Sequence, residues 1–279
     1  MNLKTLIKIS RPRFWLYAAG TFLVGAVAGV QTLTDLINPL LLVYLVYFIF
    51  FANIYIYGIN DLFDDDTDQF NAKKDDKEHR LRMLERRALT IWVVASLVLG
   101  IVLAFFTPNS TTMWLWILFL ALAGCYSAYP FRFKAKPVID AASNVHYAVI
   151  GFLAYSFITG DVPPVWAMLA AWAWTASMHI YSAVPDIESD AKANLSTTAV
   201  VLGHKLSLVV CFVLWIISSV LVIQNFNASI LVWLVLLYPI ATIYTYINLH
   251  KIKTIYWWFP AINAILGLIL FWILALPKI

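Results

Sequence analysis

Charged residues are few in this 279-residue chain: 12% of positions, against 62% apolar and 16% aromatic. An ordinary soluble domain carries about 25% charged residues, so that class is excluded. Cysteine is rarer still. Cys125 and Cys211 both fall inside long apolar runs, which argues against a disulfide framework and leaves them structural roles. Short segments of alternating polarity are missing, and with them the closed β-barrel, the other architecture that spans a bilayer. Every polar loop is short except the one after Asn60, so no second, soluble domain is expected.

What is there instead is a series of apolar runs of about 18 or more residues, each long enough to cross a hydrocarbon core roughly 30 Å thick. Nine spans are predicted, near 14–31, 38–59, 88–106, 112–128, 140–158, 164–184, 206–224, 229–248 and 256–276. The expected fold is an all-α polytopic membrane protein, with residues 1–279 forming one domain. The start, MNLKTLIKISRPRFW, reads as a short amphipathic lead on the membrane surface and not as a signal peptide. Gly25 and Gly29 form a small-x-x-x-small pair suited to close helix packing. Trp114 with Trp116, and Trp257 with Trp258, suit the aromatic belts at the two interfaces.

With nine spans, 18 of the 19 Lys and Arg residues fall on one side, and Lys278 alone lies opposite. The positive-inside rule makes that side cytoplasmic, together with the N-terminus and the loops that follow even-numbered spans. The expected location is therefore the cytoplasmic (inner) membrane. The net charge of +4 reflects this topology and an anionic ligand, not nucleic acid.

Negative charge is concentrated. The stretch NDLFDDDTDQFNAKKDDKEHR, from Asn60 to Arg80, holds eight of the fifteen carboxylates directly after a span. Asn60, Asp64 and Asp68 are spaced four apart, so on a helix they form one ladder. Asp61 and Asp65 make an adjacent pair. Asp186 and Asp190 repeat the spacing at the end of span 6, on the same side of the membrane, with Glu188 on another face. Two facing Asp pairs can hold Mg²⁺ between them, because Mg²⁺ favours a few carboxylates plus substrate phosphate oxygens. A diphosphate needs further cations, and Arg132, Lys134, Lys136, Lys192, Lys73 and Lys74 are nearby in sequence. The expected tenant of such a cavity has a charged head and a lipid tail.

A charge run at a span end is ordinarily a solvated loop. Two clusters of matching spacing on one side argue for use, since carboxylates are rarely kept at a membrane without one. A calcium loop over Asp64, Asp66 and Asp68 fails at the turn position, where Gln69 replaces Gly. His179, Ser182 and Asp186 share a helix face that points towards the carboxylates, so His179 and Ser182 are candidate cavity-lining residues. Asn144 and His146 are weaker candidates. A cation-coupled transporter would instead place paired carboxylates near the midplane beside helix breaks.

These residues resemble the UbiA superfamily of intramembrane prenyltransferases. NDLFDDDTD is similar to that family's first Asp motif, DIESD to its second, and YPFRFK to the Tyr/Arg/Lys loop between them. The resemblance implies nine helices around a central lipid-accessible cavity and Mg²⁺-dependent transfer from an allylic prenyl diphosphate to a hydrophobic acceptor. It also implies catalytic and metal-binding roles for Asp64, Asp68, Asp186 and Asp190, with Asn60 as a further ligand. Arg132, Lys134 and Lys192 would neutralise the diphosphate, and Tyr126 would line its pocket. SRPRFWLYAAGTFLVG, IYGINDLFDDDTD and SAVPDIESDAKANLSTTAVVLG look most like the carotenoid branch, the lycopene elongases. Thr197-Thr198-Ala199 stands where quinone- and haem-modifying relatives more often have Thr-Leu-Pro. Asn194 replaces a usual Gly, and a turn with positive φ is expected to survive there. The alternative acceptor is an aromatic quinone precursor such as 4-hydroxybenzoate. No base for the final proton is evident.

Overall fold

The computed structural model describes residues 1–64, 81–226 and 229–279. Among them no strand occurs. A short helix, α1 (Leu3–Ile9), begins where the Asn2 side chain accepts the Thr5 N–H at 2.8 Å. The longer helices are α2 (Trp15–Gly29), α3 (Pro39–Phe63), α4 (Met83–Phe105), α5 (Ser110–Ser127), α6 (Ile139–Thr159) and α7 (Val165–Ala183). They are followed by the short α8 (Ile187–Lys192), then α9 (Thr198–Asn225), α10 (Ile230–Ile247) and α11 (Leu249–Lys278).

Local chemistry sets several of these starts. Asn38 accepts from the Leu40 and Leu41 N–H groups while Pro39 opens α3, where a missing N–H costs nothing. Asn109 caps α5 and Thr197 caps α9 through the same kind of bond. Gly203, at φ 71° and ψ 175°, kinks α9 near its start.

Among the described residues, seven helices are long and apolar enough to cross a membrane: α3, α4, α5, α6, α9, α10 and α11. The protein is an integral, multi-pass membrane protein. The other two expected spans exist as helices but fall short of those criteria. α2 has 15 residues. α7 has 19, and its Trp, His, Ser and Thr content lowers its hydropathy.

Each long helix packs on the next in chain order, α7 on α9 across the small α8, and α11 returns to α2. α2 also packs closely on α6. There a Cβ on Gly25 would lie 2.0 Å from the Gly151 carbonyl oxygen, so the backbones touch as the small-residue spacing predicts. There are two apolar cores, and the seam lies in the first. One surrounds Tyr44, Phe48, Trp116 and Phe119; the other surrounds Tyr181, Trp215, Tyr238 and Phe259. Trp116 is therefore a core residue and not part of an interfacial belt, whereas Trp114, Trp257 and Trp258 are exposed. In lipid these buried rings gain close packing more than escape from water. Both cysteines are free. Cys211 is buried and ties α9 to α7, accepting the Ser177 hydroxyl at its carbonyl at 2.9 Å.

Candidate active site

The helices enclose a cavity of about 340 Å³. α3 delivers the first functional side chains to its mouth. Asn60 lies on its last turn, and the helix ends at Phe63, so Asp64 leaves the helical conformation. The Asn60 amide donates to Asp64 Oδ2 at 2.8 Å, which fixes both side chains on one face as the spacing predicts. Asp64 is buried and forms an ion pair with Lys134, itself buried in the loop after α5. Burial first, and the Arg11 charge second, pull the Lys134 pKa down to about 7, against the opposing pull of Asp61 and Asp190. Asp68 and Asp65 lie outside the described residues, as do Lys73 and Lys74.

Asp186 and Asp190 come to the same cavity from the opposite side. Pro185 lies in a tight single turn, Val184–Asp186, that ends α7, and α8 then carries Asp190 inward while Glu188 stays exposed. The turn after α8 is closed by Asn194 at φ 55°, the left-handed conformation expected in place of glycine. The two carboxylate sets are brought together although more than a hundred residues separate them. His179, Ser182, Asn144, His146 and Tyr126 also line the cavity.

Two expected cations do not reach the wall. Arg132, at φ 40°, turns its guanidinium over the Tyr129 ring at 5.0 Å and donates to the Tyr129 hydroxyl. Lys192 is exposed at the end of α8. Their place is taken by Arg11, which sequence reasoning counted only towards topology. Arg11 lines the cavity, pairs with buried Asp61 at 3.1 Å and lies 4.8 Å over the Tyr57 ring. Asp61 thus faces Arg11 and not the Asn60–Asp64 ladder. An Arg beside a Pro in a short polar lead was the available signal.

The walls deeper in are aromatic. Tyr57 and Tyr147 share a hydrogen bond at 2.9 Å, and Tyr17, Phe14 and Tyr256 complete this surface. Asp140, also unmarked by sequence reasoning, is fully buried at the start of α6, 3.6 Å from His179. Its signal was being an ionisable residue in an apolar run.

The donors at the mouth are hard oxygens, the chemistry Mg²⁺ requires. Among the described residues, no three His, Cys, Asp or Glu side chains converge on one point. Facing sets of this kind suit an ion that completes its shell with phosphate oxygens and water.

A multi-pass helical membrane protein with a carboxylate-rimmed, cation-bearing and aromatic-walled cavity handles molecules with a charged head and an apolar body. The sequence profile of the UbiA prenyltransferase family matches residues 18–255, and the chain belongs to that family. It is 40% identical over 267 residues to the lycopene elongase/hydratase of Haloferax volcanii, covering 95% of this chain and 86% of that one. With the lycopene elongase/hydratase of Halobacterium salinarum it shares 39% identity over 268 residues, covering 95% and 94%. A solved UbiA homolog from Archaeoglobus fulgidus, bound to DMAPP and Mg²⁺, matches with a TM-score of 0.70 and 25% identity over 96% of this chain and 99% of that one.

Proposed function

We propose that this prenyltransferase moves a prenyl group from an allylic prenyl diphosphate to a carotenoid such as lycopene, inside the membrane and with Mg²⁺. The observation that carries the diphosphate half is the convergence of Asn60–Asp64 and Asp186–Asp190 on one cavity with Lys134 and Arg11. The relatives named lycopene elongase/hydratase, similar over nearly the whole chain, support the acceptor.

In this reading Asn60, Asp64, Asp186 and Asp190, together with Asp68, hold Mg²⁺. Bound there, Mg²⁺ supplies Lewis-acid stabilisation of the charge that gathers on the leaving diphosphate. Lys134 exchanges its carboxylate partner for phosphate oxygens, and Arg11, close enough to act on the Lys134 charge, adds a second cation. Arg132 and Lys192 contribute only if the loops that bear them close over the donor. The allylic C–O bond breaks with its electron pair going to the diphosphate. Tyr57, Tyr126 and Tyr147 line the cavity in which the remaining cation is held. Excluding water from the aromatic part of the cavity would protect the cation from hydrolysis. A terminal double bond of the acceptor then supplies the pair for the new C–C bond.

The remaining features follow the same reading. α2 and α7 cross the membrane with the seven more apolar helices, giving nine spans in one domain over residues 1–279. The N-terminus and the carboxylate loops face the cytoplasm, in the inner membrane, because 18 of 19 basic residues then lie inside.

The test is an assay of purified protein in lipid with Mg²⁺, dimethylallyl diphosphate and either lycopene or 4-hydroxybenzoate. Polyenes lengthened by one or two C5 units, absent when EDTA is added, are the expected products. A prenylated benzoate and unchanged lycopene would overturn the acceptor.

A further inference from the structure

Asp140 is a buried carboxylate that the chemistry above leaves unused. Its Oδ1 accepts the Ala141 N–H at 2.8 Å and the Thr198 hydroxyl, and its Oδ2 accepts the Thr198 N–H at 2.7 Å. The Thr198 hydroxyl oxygen in turn accepts the Val138 N–H at 2.7 Å and holds Val138 at φ 70°, a conformation β-branched residues avoid. Three segments of chain, including one under backbone strain, thus fix a carboxylate where charge is costly.

What the carboxylate meets on its remaining side is Nε2 of His179, at 3.6 Å. That is an ion-pair distance, slightly long for a hydrogen bond, and such contacts tighten when a ligand binds. His179 lines the cavity from α7, four residues before that helix ends and seven before Asp186. The ring packs edge-on to Tyr126 with centroids 5.9 Å apart, and Nδ1 has no hydrogen-bond partner among the described residues.

We propose that His179 accepts the proton that ends the transfer, and that Asp140 is the positioning residue that orients it. The inference rests on the prenyl-transfer reading. Once the acceptor's π pair has formed the new C–C bond, a tertiary cation remains. The electron pair of an adjacent C–H bond becomes the new double bond and the proton passes to Nδ1. Where the product is hydrated, a water oxygen forms the C–O bond and the same nitrogen takes the water's proton. Nε2–H points at Asp140, whose negative charge stabilises the imidazolium formed. The proton returns to solvent when the diphosphate leaves.

The experiment uses the full chain in lipid with Mg²⁺, dimethylallyl diphosphate and lycopene, comparing wild type with His179→Gln, His179→Ala and Asp140→Asn. Mg²⁺-dependent donor binding, diphosphate release and polyene products are measured separately. His179→Gln should bind donor within about threefold of wild type yet form elongated product about 10²–10⁴-fold more slowly, the usual range for loss of a general base. Diphosphate release should then outrun formation of the finished polyene, and added imidazole should restore product in His179→Ala. Asp140→Asn should slow product formation without raising the donor KM. Three results would each overturn the proposal. The first is a His179→Gln enzyme with the wild-type rate and product ratio. The second is a His179→Ala enzyme that binds donor but is not rescued. The third is loss of donor binding in His179→Gln, which would make the residue structural. A wild type that used only 4-hydroxybenzoate would reject the carotenoid reading alone, and the same variants would then report on loss of the ring proton.

Discussion

Arg11 and Asp61 show how a few polar side chains are kept at a membrane-embedded cavity. Asp61 is buried and its salt bridge to Arg11 is 3.1 Å long, with the Tyr57 ring closing the other face of the guanidinium. Attraction in such a place repays desolvation only while both partners are present. Asp61→Asn should therefore destabilise the protein by on the order of 3–5 kcal/mol, the cost of stranding one charge of a buried pair. Chemical unfolding of the detergent-solubilised protein measures it, and a loss below about 1 kcal/mol would mean the pair behaves like an exposed one. Lys134 is likewise held next to a carboxylate, Asp64, at the cavity wall, where a ligand can replace its partner.

At the scale of elements, the seam between α2 and α6 carries the closest helix approach. Gly25 faces the Gly151 carbonyl with no room for a methyl group. Gly25→Ala should cost about 1–3 kcal/mol through overpacking, read as a lower thermal midpoint in detergent, whereas Gly20→Ala, which meets open space, should be neutral. An unchanged midpoint for Gly25→Ala would contradict the packing. This seam was legible in the sequence because a Gly-x-x-x-Gly spacing has one main physical use in a span. So was the approach of Asn60 to Asp64, four residues apart at the end of α3. Three things were not legible. α7 is a helix whose polar wall faces a cavity, so composition alone could not separate a span from a buried helix. Arg132 and Lys134 are two residues apart and equally basic, yet a left-handed backbone at Arg132 sends one to Tyr129 and the other to Asp64. Asp140 lay at the edge of an apolar run, and its partners Thr198 and His179 are distant in sequence.

Over the whole molecule, the helix ring brings the ends of α3 and α7 to one cavity, and that meeting is what makes two ordinary acidic turns into a site. The proposed function requires the two carboxylate sets to act together. The measurement that tests it most directly is Mg²⁺-dependent binding of a non-hydrolysable dimethylallyl diphosphate analogue to wild type, Asp64→Asn and Asp186→Asn in lipid. Each substitution alone should weaken binding by at least the roughly 10–100-fold that loss of an outer-shell partner costs a metal site, with the helical content unchanged. Wild-type affinity in either variant, or binding that ignores EDTA, would contradict the claim that the two sets act as one site.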